Sequence, residues 1–102
     1  LPVLHPGSPE LALLLIVAAP LVEEPLFRGL LFNSISRSLS TRKAILGSAA
    51  IFALAHPAVS ALPVFGLGLA AAWCYRRTGR LSSAILAHAL YNAAVLWMQW
   101  LL

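Results

Sequence analysis

The sequence carries little charge, and fewer acids than bases. Of its 102 residues only 10% are Asp, Glu, Lys or Arg, three acidic against seven basic, while 61% are hydrophobic. A soluble domain carries roughly one-quarter charged residues, so this composition excludes an ordinary water-soluble globule and points to a membrane protein. A single cysteine, Cys74, excludes an internal disulfide. Beside Ala72 and Trp73 it reads as a small buried hydrophobe. No cluster of bases with interleaved aromatics is present, which argues against nucleic acid as a partner. No segment alternates apolar and polar residues with period two, so strands are not expected. Internal repeats, heptads and low-complexity tracts are missing too. The opening LPVLHPGSPE has neither a basic n-region nor a small-residue cleavage site, so no signal peptide is expected in it. With no initiating Met, the expectation is a piece of a longer protein, its residues 1–102 forming one membrane-embedded core.

What is there are apolar runs separated by short polar stretches. Leu1 to Pro9, with three prolines and a glycine, reads as an irregular lead-in. Ser8-Pro9-Glu10 then makes a helix start, and the apolar run continues to about Ile35. Pro20 and Pro25 lie inside that helix, where each removes a backbone donor, so a bend beside Glu23 is expected. Asn33 to Lys43 reads as an interfacial loop. A second helix is expected from Ala44 to near Pro57 and a third, short for a full span, from Val64 to Tyr75. A fourth follows from Leu81 to Leu102, with Trp97 and Trp100 as interfacial anchors. The fold class implied is all-α, a polytopic transmembrane bundle of about four helices. Six of the seven basic residues fall in the stretches after the first and third helices. Those two must lie on the same side of a four-span bundle, and the positive-inside rule makes that side cytoplasmic.

The exception to this order is Leu21 to Gly29, LVEEPLFRG. Glu23, Glu24 and Arg28 are the only charges between Leu11 and Leu31, in a segment long enough to cross a bilayer. A carboxylate at that depth costs a few kcal/mol even on mild scales, so such residues pair, face a bundle interior or mark a site. Glu24 and Arg28 are i and i+4 with the acid first, the favourable order for an ion pair on one helix face. Glu23 is rotated about 100° away, over Phe27. Glu24 therefore reads as the paired, structural carboxylate and Glu23 as the one free for chemistry.

Three other polar residues lie in apolar helices: His56 at the end of the second, and His88 with Asn92, i and i+4, on the fourth. Counted at ~1.5 Å per residue from the basic residues of the expected cytoplasmic loops, Glu23 lies ~21 Å from Arg37, His56 ~20 Å from Lys43, and Asn92 ~18 Å and His88 ~12 Å from Arg80. Four side chains from three helices thus approach a common depth. A carboxylate, two imidazoles and a carboxamide are groups that activate a water and stabilise an oxyanion. Each alone has a plainer reading: His56 as a helix-end hydrogen bonder, Asn92 as interhelical glue, Glu24 and Arg28 as a salt bridge. His5, in the lead-in, carries no functional weight.

Glu23-Glu24-Pro25-Leu26-Phe27-Arg28 resembles an EExxxR motif, Phe52 to His56 an FxxxH motif and His88 to Asn92 an HxxxN motif, in the order found in the CPBP family of intramembrane endopeptidases. That family includes CAAX prenyl endopeptidases and bacterial members linked to bacteriocin processing or self-immunity. The resemblance implies that Glu23 with His56 activates a water for attack on a peptide carbonyl while His88 and Asn92 stabilise the oxyanion. Full members have further membrane helices ahead of the EExxxR segment, so the chain resembles the catalytic core. A zinc-dependent version would use Glu23, His56 and His88 as ligands with one position left for water. The metal-free version is favoured, because an i, i+4 His/Asn pair suits an oxyanion hole and no HExxH is present. The partners implied are a peptide or protein substrate in or near the membrane, prenylated or a bacteriocin-type leader, and the lipid bilayer, which would be a bacterial plasma membrane. A non-proteolytic immunity or scaffold protein of the same fold, or a proton-relaying transporter, remains as an alternative.

Overall fold

Four helices, in a computed structural model that describes His5 and residues 7–102, run back and forth along a body 43 Å long and 25 Å across. Part of the expected lead-in, Leu1 to Leu4 and Pro6, lies outside the described residues. Helix α1 covers residues 9–38 and changes its winding along the way. It is α-helical over Pro9–Leu13, π-helical over Leu14–Ala18, α-helical over Ala19–Glu24, π-helical over Pro25–Phe32 and α-helical again over Asn33–Ser38. Helices α2 (Thr41–Leu54), α3 (Ala61–Thr78) and α4 (Leu81–Leu101) follow, with a short 3₁₀ turn, Ala58–Ser60, leading into α3. No strand occurs among the described residues. The length matches a bilayer with its headgroups, about 40–45 Å.

The start of α1 follows from Ser8, whose hydroxyl accepts from the Leu11 N–H at 3.1 Å, with Pro9 at the first helical position. The two prolines inside α1 do not break it. Each sits where the chain has changed register: Ala19 donates to the carbonyl of Leu14, five residues back, just before Pro20, and Pro25 opens the second wide-turn stretch. Such π segments are rare and recur at functional sites.

Two boundaries differ from the sequence expectation. Asn33 to Lys43 is not a loop: α1 runs to Ser38 and α2 begins at Thr41. Asn33 stays helical because its amide donates to the Gly29 carbonyl and to the Tyr75 hydroxyl, both at 2.8 Å. Arg37 in the last turn suits the negative end of the helix dipole. Only Leu39 and Ser40 make the turn, and Ser40 caps α2 by accepting from Lys43 N–H at 3.2 Å. Likewise α3 is not short. It begins at Ala61, because Pro63 lies in the first turn, where a missing N–H costs no helical bond. It ends at Gly79, whose φ of 70° is the left-handed form glycine adopts cheaply and whose N–H closes on Tyr75 at 2.7 Å.

The body is inside out relative to a soluble protein. Glu24, Arg28, Ser48 and His88 are buried, whereas Leu13, Leu21, Leu30, Leu54, Leu86 and Leu90 point outward. With its turn residues included, the third helical stretch (Ala58–Thr78) and α4 are each 21 residues, long and apolar enough to cross a membrane. Polar residues in the interior and leucines outside are the arrangement a hydrocarbon solvent selects, and the molecule is an integral membrane protein. Packing between helices relies on small residues. One buried cluster joins Phe52, Ala53, Val64 and Leu67, a second joins Phe32, Ala44 and Ala72.

The tightest crossing is between α2 and α3. A methyl group added at Gly68 would lie 2.9 Å from the Cα of Ala49, so the two backbones touch there. At Gly66, two residues earlier, it would meet nothing within 4 Å. Gly68→Ala is therefore expected to destabilise the full-length protein by about 1–3 kcal/mol, the scale of overpacking, while Gly66→Ala should be neutral or stabilise by up to about 1 kcal/mol. Thermal unfolding of both variants in detergent checks this, and equal melting temperatures would contradict the close crossing.

Candidate active site

The two glutamates at the centre of α1 separate as their helical spacing requires. Glu24 is completely buried and its Oε1 lies 3.0 Å from Arg28 Nε, itself buried. The pair is close without being aligned as a hydrogen bond, and none of the Arg28 nitrogens has an aligned partner among the described residues. The guanidinium instead rests over the Phe52 ring, 4.9 Å from its centroid, where the ring's negative face takes up part of the charge. Glu23, by contrast, is 30% exposed and faces the other way, toward the two histidines.

His56 and His88 converge on Glu23. Its Oε1 is 3.5 Å from His56 Nε2 and 3.9 Å from His88 Nε2. The other nitrogen of each ring is already committed. His56 Nδ1 donates to the Phe52 carbonyl at 2.7 Å, a bond that also satisfies a carbonyl at the end of α2. His88 Nδ1 donates to Glu24 Oε2, also at 2.7 Å. Glu24 is thus shared: one oxygen faces Arg28 and the other holds His88. The rings are fixed in direction by these bonds, and both present Nε2 to the same carboxylate oxygen.

Phe52 is the floor of this arrangement. It is fully buried and meets four site residues: Phe27 and His88 edge-on at 4.9 and 5.5 Å, the His56 ring at 4.7 Å, and Arg28 from above. Sequence reasoning treated it as a motif position and assigned it no role. The signal available was its place four residues before His56, which puts both on one helix face.

Asn92 sits one turn beyond His88 on α4, and its Nδ2 donates to the Leu15 carbonyl at 2.7 Å. The reason is the winding of α1. In the π register the Leu15 carbonyl would look to residue 20, but Pro20 has no N–H, and the Ala19 N–H is already taken by Leu14. Asn92 supplies the missing donor. The structure thus gathers Glu23, Glu24, Arg28, His56 and His88 into one cluster and places Asn92 beside α1, with one of its two amide hydrogens in use.

If both imidazoles are neutral, two bare nitrogens and a carboxylate oxygen face one another, so the space among them suits a donor or a cation: a water, a proton or a metal ion. Glu23, His56 and His88 are the side chains that would hold a metal ion at this point.

Comparison with known proteins bears on the same residues. Residues 6–94 match the family model described as type II CAAX prenyl endopeptidase Rce1-like. The membrane-embedded CAAX protease MroQ of Staphylococcus aureus (strain USA300) is 39% identical over 90 residues, which cover 81% of this chain and 36% of MroQ. The chain therefore spans about a third of that relative's length. No solved structure matches.

The geometry makes the two glutamates unequal. Glu24→Gln removes the charge that balances Arg28 and weakens the hold on His88, and stranding a buried charge costs about 3–5 kcal/mol. This variant is expected to fall in abundance and melting temperature. Glu23→Gln, at a partly exposed position that leaves the closer Glu24 bond to His88 and the Glu24–Arg28 pair in place, should fold normally and lose activity. Equal abundance of the two variants, with Glu24→Gln fully active, would contradict this division.

Proposed function

Since the chain belongs to the Rce1-like family of type II CAAX prenyl endopeptidases, we propose that it is the catalytic core of an intramembrane peptidase in a bacterial plasma membrane. Its substrate is a peptide presented in or near the bilayer, prenylated or leader-like. The observation that carries this reading is the approach of His56 Nε2 and His88 Nε2 to one oxygen of Glu23, in a bundle interior where an unpaired carboxylate is costly.

In the proposed reaction a water sits between Glu23 and His56. With His56 Nδ1 donating to Phe52, its Nε2 accepts, so carboxylate and imidazole together polarise the water and take its proton as the oxygen attacks the peptide carbonyl. The same pair returns that proton to the leaving nitrogen when the C–N bond breaks. The products are then a carboxylic acid and an amine, and the acid's proton passes to the amine to leave a carboxylate and an ammonium. The developing oxyanion is met by His88 Nε2–H and by the second amide hydrogen of Asn92. For His88 to donate from Nε2 it must be an imidazolium, because its Nδ1–H already goes to Glu24. Charge supports this: the cluster holds two carboxylates and one guanidinium, and a proton shared into it brings the sum to zero. Glu24 and Arg28 act as positioning residues, holding His88 in the orientation that donates.

Cleavage of a peptide library by the purified full-length protein, with and without chelator, tests the proposal. Activity should survive exhaustive chelation. His88→Gln, which keeps an amide donor, should leave residual turnover within the roughly 100- to 1000-fold loss typical of one oxyanion donor. Stoichiometric zinc in the wild type, lost in His88→Gln together with chelator-sensitive cleavage, would overturn the metal-free mechanism in favour of zinc held by Glu23, His56 and His88.

A further inference from the structure

At the end of the bundle where the turns after α1 and α3 meet, a cavity of about 300 Å³ opens between Asn33, Ser36, Thr41, Tyr75 and Arg76. It lies at the other end of α2 from His56 and shares no residue with the catalytic cluster. Its lining leaves Tyr75, Thr41 and Arg76 as donors, while Asn33 and Ser36 have spent their hydrogens. Asn33 Nδ2 donates into the Tyr75 hydroxyl at 2.8 Å, so that hydroxyl's own hydrogen is left to point elsewhere. Ser36 has its hydrogen on the Asn33 carbonyl at 3.1 Å, leaving the oxygen to accept. Thr41, the first residue of α2, has a hydroxyl with no partner among the described residues. Arg76 is exposed at the cavity and no carboxylate of a described residue pairs with it. All three acids of the chain, Glu10, Glu23 and Glu24, lie outside the lining.

The surroundings favour the same kind of ligand. Arg37, Arg42, Lys43, Arg77 and Arg80 flank the cavity in sequence and are all exposed. Leu30 and Leu39, on either side of the Phe32–Ser36 lining in sequence, are exposed. The wall formed by Phe32 gives the cavity an apolar side. A guanidinium and two hydroxyl donors, with no competing carboxylate and exposed leucines close by in the chain, suit a phosphodiester that carries acyl chains. We propose that this cavity binds the phosphate headgroup of an anionic phospholipid. Its position at the bilayer surface follows from the basic turns, which sit where anionic headgroups attract cations. Bound there, a lipid would bridge α1, α2 and α3 at their charged ends.

Native mass spectrometry of the full-length protein, offered phosphatidylglycerol, phosphatidylcholine or free glycerol phosphate, tests this independently of catalysis. The expected result is one phosphatidylglycerol retained in preference to phosphatidylcholine. Arg76→Gln should weaken retention about tenfold, the loss of one charge-assisted hydrogen bond, and Thr41→Val should weaken it in the same direction. Arg77→Gln, whose guanidinium lies over Trp73 at 5.8 Å, should leave retention unchanged. Thermal melting confirms that each variant is folded, and Thr41→Val carries the test if Arg76→Gln is not. Equal retention of phosphatidylcholine, or an equal loss in Arg77→Gln, would reduce the cavity to diffuse surface charge and overturn the site. Glycerol phosphate binding as tightly as the lipid would assign the cavity to a soluble phosphate and overturn the lipid.

Discussion

Glu24 is the constraint on which the rest of the site depends. A carboxylate with no exposure, at membrane depth, persists only if its charge is met, and this one is met from two directions, by Arg28 one turn on and by His88 from the fourth helix. Removing two charges from water is expensive, and the attraction between them repays that cost only when further groups share the load. Here the sharing group is a histidine, so the interaction that makes the bundle's centre tolerable also fixes an imidazole. Arg28, in turn, is held by Coulombic attraction and by the Phe52 ring more than by aligned hydrogen bonds. The consequence for Glu23 is geometric. With Glu24 turned inward to Arg28 and His88, its neighbour is presented to the half-open side, where His56 meets it.

The winding of α1 makes this presentation compatible with its prolines. Two π-helical stretches flank the Ala19–Glu24 segment, the first closing with the Ala19–Leu14 bond just before Pro20 and the second opening at Pro25. One carbonyl is still left over, that of Leu15, and Asn92 reaches across to it. The fourth helix is thus tied to the first at two levels, by His88 to Glu24 and by Asn92 to Leu15. A site built between helices needs such ties, since neither helix alone can hold its residues in register.

Much of this was legible in the sequence. The four apolar segments followed from composition and breakers. The Glu24–Arg28 pair followed from i, i+4 spacing. What spacing could not supply was the second bond of Glu24, which links residues 64 apart in the chain and depends on how α4 is turned about its axis. The tie of Asn92 was hidden for a related reason: it answers to a register change in α1 that appears only once the backbone is built. The extension of α1 past Ile35 to Ser38 is hidden because a serine-rich, basic stretch has the composition of a loop, whereas its helical form is stabilised by the Asn33 side-chain bonds to Gly29 and Tyr75. The length of α3 was underestimated because Pro63 reads as a turn residue, although in a first turn it is tolerated.

The central claim is that Glu24 holds His88 through Nδ1. Nitrogen-15 solid-state NMR of the full-length protein in bilayers, labelled at histidine and assigned with His88→Gln, reports directly which ring nitrogen carries the proton. The account predicts that His88 Nδ1 is protonated, with its proton shifted far downfield by the bond to the carboxylate. A His88 ring whose Nδ1 carries no proton would contradict it.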